Sequence, residues 1–74
     1  MTDKQQTFLI NYTVDRLTEW LVEDYEMSIA TAMQFLYNSD TYQKLSNPET
    51  GLYAQSPSYV FELLDQEYKT GSNV

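Results

Sequence analysis

Glu23, Asp24 and Glu26 form the densest group of side chains in this sequence that could do chemistry. Carboxylates work in pairs as general acid and base, or together hold a divalent cation. Their spacing argues against both roles. At about 100° per residue they leave the end of a helix in different directions, and they lack the Asp-x-Asp-x-Asp-Gly order of a calcium loop. Met27-Ser28 then starts a new helix. The other polar cluster, Asn47-Pro48-Glu49-Thr50-Gly51, supplies a single carboxylate.

The remaining chemistry is thinner still. The chain has no histidine and no cysteine, so imidazole bases, thiolate nucleophiles and thiolate or imidazole metal ligands are all missing. No serine lies in a Gly-x-Ser-x-Gly setting; the serines and threonines fall where helix caps are needed. With only Gly51 and Gly71, no glycine-rich loop can cradle a phosphate. The sequence is therefore read as a non-enzymatic protein with no catalytic, cofactor-binding or metal-binding residues.

Eleven acids stand against Lys4, Arg16, Lys44 and Lys69, a net charge of −7. Such a surface repels phosphate backbones and favours a basic protein as partner. Direct nucleic-acid binding is not expected. The two short helices read between Ser28 and Leu45 have a loose helix-turn-helix cadence, but the second offers Lys44 as its sole cation, beside Asp40. No apolar run approaches the roughly 20 residues that span a bilayer, and the opening residues lack the order of a secretory signal, so no membrane association and a cytoplasmic location are expected.

The elements that position these groups can be read from caps and periodicity. Thr2-x-x-Gln is a capping-box pattern that starts a first helix near Asp3. Ile10, Val14, Leu17, Leu21 and Tyr25 share one face of it, widened by Leu9 and Trp20, and it runs to about Tyr25. Ser28 caps a second helix, with Met27 as a staple, Ile29, Ala32, Met33 and Leu36 inward, and Thr31, Gln34 and Asn38 outward. Asn38-Ser39-Asp40 ends it and caps a third, with Tyr42 and Leu45 on one side and an i,i+4 pair between Asp40 and Lys44. Asn47-Pro48 stops that helix, and Gly51 to Gln55 forms an extended or turn-like connector. Ser56-Pro57 starts a fourth helix, with Val60, Phe61, Leu63, Leu64 and Tyr68 inward and a loose tail over 69–74. The fold class is all-α: one domain over 1–74, a small bundle of a long first helix, two short helices and a carboxy-terminal helix. Trp20, Phe35 and Phe61 are large enough anchors for a folded core in so short a chain.

Two surfaces are candidates for recognition. Phe8, Tyr12, Asp15, Glu19 and Glu23 line the outer face of the first helix, with Val22 adjacent, and like charges four residues apart weaken a helix unless packing or an approaching cation offsets them. One reading is a solvated acidic face with Phe8 and Tyr12 covered by the last helix; the other is an aromatic and acidic patch for a basic protein. The second surface is the tyrosine-rich connector, where Leu52 and Tyr53 either pin the chain to the bundle or Tyr53 and Tyr59 stand out for a partner.

Ile29, Ala32, Tyr37, Ser39, Tyr42, Leu45, Gly51, Leu52, Tyr53, Ser56 and Tyr59 follow a cadence of Ile-x-x-Ala, Tyr-x-Ser-x-x-Tyr-x-x-Leu, Gly-Leu-Tyr and Ser-x-x-Tyr before an acidic final helix. Over about half the chain this resembles small bacterial helical domains of unknown function found near toxin-antitoxin-like genes. The resemblance implies a protein partner and no catalytic residues. The expectation is a small acidic protein-interaction module, antitoxin-like or regulatory, with a homo-oligomer of no dedicated partner as the alternative.

Overall fold

No glycine or proline precedes Pro48, and the chain uses that freedom for one long helix, α1 (Asp3–Tyr25). The computed structural model describes residues 3–70, so the capping pattern at Thr2 and the expected tail over 71–74 lie outside the described residues. At about 1.5 Å per residue α1 is about 34 Å long, which matches the molecule's longest dimension of 35 Å. It is the wall against which α2 (Ile29–Tyr37) and α4 (Pro57–Thr70) pack, while α3 (Asp40–Ser46) packs on α4. Two 3₁₀ turns, Pro48–Thr50 and Leu52–Ala54, connect α3 to α4, and the described residues contain no strand.

Each helix start from α2 onward is set by a side chain that accepts from a backbone N–H left free in the first turn. Ser28 Oγ accepts from Thr31 N at 3.1 Å, Ser39 Oγ from Tyr42 N at 3.0 Å, and Ser56 Oγ from Tyr59 N at 3.2 Å with Pro57 as the first helical residue. Asn47 Oδ1 does the same for the turn after α3, accepting from Glu49 N at 3.1 Å. Gly51 is left-handed at φ 69°, where a side chain would be strained, and it lets the two 3₁₀ turns follow one another. Glu26 also has positive φ, 55°, and without glycine's freedom it turns the chain between α1 and α2.

The core draws on every helix: Val14, Leu17 and Leu21 of α1, Ala32 and Leu36 of α2, Leu45 of α3, Val60 and Leu64 of α4, and Leu52 of the second turn. An aromatic seam closes one flank, with Trp20 edge-on to Phe61 at 5.3 Å, and Tyr68 against both Tyr25 at 4.6 Å and Phe35 at 5.4 Å. Met27 packs on the core, and Leu52 and Tyr53 pin the connector, with Gln6 Nε2 donating to the Tyr53 hydroxyl at 3.4 Å.

Several inward assignments change. Ile29 is 64% exposed and Met33 39% exposed, because the buried line of α2 runs through Ala32 and Leu36 and leaves Ile29, Met33 and Tyr37 to one side of it. Tyr68 is 45% exposed, because Glu67, seven residues after Val60 and three after Leu64, takes the buried position in the last turns of α4 and Tyr68 lies about 100° around. Asp40 and Lys44 form no ion pair among the described residues, since an exposed pair of this kind gains little over solvation. Lys69 and Thr70 continue α4 instead of joining the tail, and Lys69 pairs with Asp65 at 3.0 Å.

Candidate protein-interaction site

The five residues expected on the outer face of α1 occupy a strip about 80° wide by helical geometry, and all five are exposed. Phe8 at 68% and Tyr12 at 50% are not covered by α4, which corrects that part of the solvated-face reading. Phe8 borders a hollow of its own at the start of α1, with Lys4, Gln5 and Leu9. Asp15, Glu19 and Glu23 belong to a different feature, a groove of about 470 Å³ between α1 and α2.

That groove has three sides of distinct character. Val14, Thr18 and Val22 form its floor, Asp15, Glu19 and Glu23 its α1 rim, and Ile29, Met33 and Tyr37 its α2 wall. The wall residues recur every four positions, so they stack along one line of α2 at about 6 Å intervals. Tyr37 is fixed at the end of that line by an edge-on contact to Tyr42 at 4.7 Å. Thr18 Oγ1 is sealed from solvent and has no hydrogen-bond partner among the described residues, so it offers nothing polar to the groove. No residue of α2 is charged.

The rim is only partly neutralised. Arg16 donates to Glu19 Oε1 at 2.9 Å and lies over the Trp20 ring at 5.0 Å, so Glu19 already has a cation from its own helix. Asp15 and Glu23 enter no ion pair among the described residues. The last turn of α1 holds Glu23 and Asp24 and no basic residue, which sets negative charge at the negative end of the helix dipole. No family model, curated protein or solved structure matches the chain. The reading of the groove accordingly stands on its own side chains.

Tyr53 and Tyr59 are not part of this site. Tyr53 is half-buried against the start of α1, and Tyr59 is exposed on the first turn of α4. Among the described residues no three of Asp, Glu, His or Cys gather as a metal site would require, and Glu23, Asp24 and Glu26 do not converge. Among the described residues no helix is long and apolar enough to cross a membrane. The sequence reading missed the α2 wall, although Ile29, Met33 and Tyr37 at intervals of four beside Ala32 and Leu36 signal an apolar surface wider than one short helix can bury.

It also missed Glu67. This side chain is 8% exposed, and its Oε2 accepts from Asp40 N at 2.8 Å while Oε1 accepts from Thr41 N at 3.0 Å and Thr41 Oγ1 at 2.8 Å. Together with Ser39 it serves the first three backbone donors of α3, so a carboxylate of α4 and a serine close that helix end. The chemistry available to Glu67 is used up by this architectural role.

Proposed function

We propose that this chain is a small non-enzymatic protein-interaction module whose acidic α1 rim meets a basic partner protein. The observation that carries the reading is that Asp15 and Glu23 stand exposed without a cation beside an apolar groove. Charge of this kind steers encounter more than it adds affinity, and it repels nucleic-acid phosphate. A homo-oligomer built on the same surface is disfavoured because it brings two acidic rims into one interface whose described lining residues hold no cation to offset them. An antitoxin-like or regulatory role belongs to this proposal through the resemblance of the central segment, and the cytoplasmic location stays an expectation of the same reading.

The test begins with purification of a stoichiometric basic partner from the source cells, followed by association kinetics with wild type and with Asp15→Lys/Glu23→Lys. The double variant is expected to associate about tenfold or more slowly at low salt, with a flattened salt dependence. Equal on-rates at low salt, or a self-associated pure protein that takes up no partner, would overturn the proposal.

A further inference from the structure

Resting on that reading, we infer that the occupant of the α1/α2 groove is an amphipathic helix of another protein, with its cations confined to one flank. Its apolar stripe lies against Ile29, Met33 and the valine floor, and its lysines or arginines face Asp15 and Glu23.

Four observations converge on this occupant. The α2 wall presents exposed apolar side chains at intervals of four, the rung spacing into which the ridges of a second helix fit. Val14 and Val22 at the ends of the floor are eight residues apart, about 12 Å, which suits two to three turns of helix. The described residues hold no strand, so an extended peptide has no sheet edge to join. The charge is one-sided as well: the rim on α1 is acidic while α2 is uncharged, so a helix with basic residues on both flanks leaves half of them opposite a neutral wall.

The chain cannot supply such a helix itself. It has four cations in all, and two of them, Arg16 and Lys69, are already paired with Glu19 and Asp65. A second copy would bring a net charge of −7 to an acidic rim. The occupant is therefore a basic helix that lies outside these 74 residues.

The probe is a fluorescein-labelled synthetic peptide of two to three helical turns, with leucines on one face, lysines along one flank and glutamines along the other. Its control has the same composition in an order that scatters the leucines. Binding is read by fluorescence anisotropy, and amide shifts of the ¹⁵N-labelled protein locate it. The ordered peptide should bind about tenfold or more tightly than the scrambled one, and Ile29→Gln/Met33→Gln should remove that advantage. These side chains are exposed and the replacements are uncharged, so the fold and the electrostatics are retained, as thermal melting will verify; in wild type the shifts should fall on α1 and α2 without any substitution. Equal binding of the two peptides, no binding at all, or shifts outside the groove would overturn the inference. The two ideas separate cleanly: if wild type binds the two peptides equally and Asp15→Lys/Glu23→Lys weakens both, the acidic-rim function survives and the helical occupant falls. If that variant changes neither peptide, the acidic rim falls, and with it the basic flank of the occupant.

Discussion

Glu67 and Glu23 are the same side chain in opposite circumstances. On the α3/α4 side, Glu67 is buried and accepts three hydrogen bonds, two from backbone groups that would otherwise be stranded at the start of α3. On the α1/α2 side, Glu23 is exposed at the carboxy-terminal end of its helix, where the dipole disfavours it, beside apolar side chains that the core does not use. Between them they separate two kinds of surface within one small bundle. The α3/α4 joint is satisfied from within, whereas the α1/α2 groove has charge and apolar area that only another molecule can complement.

The sharpest way to break this contrast is to remove the buried carboxylate. Glu67→Ala should lower stability by about 2 to 4 kcal/mol, since it strands the Asp40 and Thr41 N–H groups and leaves a void. In a domain of this size each kcal/mol lowers the melting temperature by about 4–8 °C. Glu67→Gln, which keeps the shape and an acceptor, should recover part of the loss. A melting curve for Glu67→Ala that overlays the wild type would show that the joint does not hold the bundle together. A smaller effect of opposite sign is expected at the groove floor: Thr18→Val removes an unpartnered sealed hydroxyl at constant shape and should stabilise by about 1 kcal/mol in chemical denaturation. Loss of stability there would mean that the hydroxyl has a partner in solution. The smallest effect belongs to the rim. Glu23→Lys relieves both the like charge at Glu19 and the clash with the helix dipole, so the isolated protein should gain a few tenths of a kcal/mol. A measurable destabilisation would place Glu23 with Glu67 among the structural carboxylates and dissolve the comparison.

Features governed by neighbours in sequence are legible from the residues alone. Ser28, Ser39 and Ser56-Pro57 sit where the helices begin, because a cap is a contact across three residues. The acidic row of α1 is legible for the same reason, since its period is that of one helix. What periodicity does not fix is which residue of a broad apolar face lies innermost. On α2 it puts Ile29 and Met33 inward with Ala32 and Leu36, although the helix turns toward its Phe35 side, which packs on the core and on Tyr68, and leaves Ile29 and Met33 open. On α4 it favours the aromatic Tyr68 over Glu67, because the donors that make a buried carboxylate tolerable come from Asp40 and Thr41, more than twenty residues away. Residue type is a poor guide to burial wherever the compensating partner is remote in sequence.

The link between α1 and α2 is only three residues long, Glu26 to Ser28. Each is committed: Glu26 holds the left-handed turn, Met27 is packed on the core, and Ser28 caps the helix that follows. The link therefore has no uncommitted residue to act as a hinge, which favours a groove whose width is set in advance of a partner's arrival. Complex formation then costs little reorganisation on this side, so the ordering entropy of association falls on the incoming segment. A partner segment that is already helical when free will hold an affinity advantage over a disordered one of identical sequence contacts.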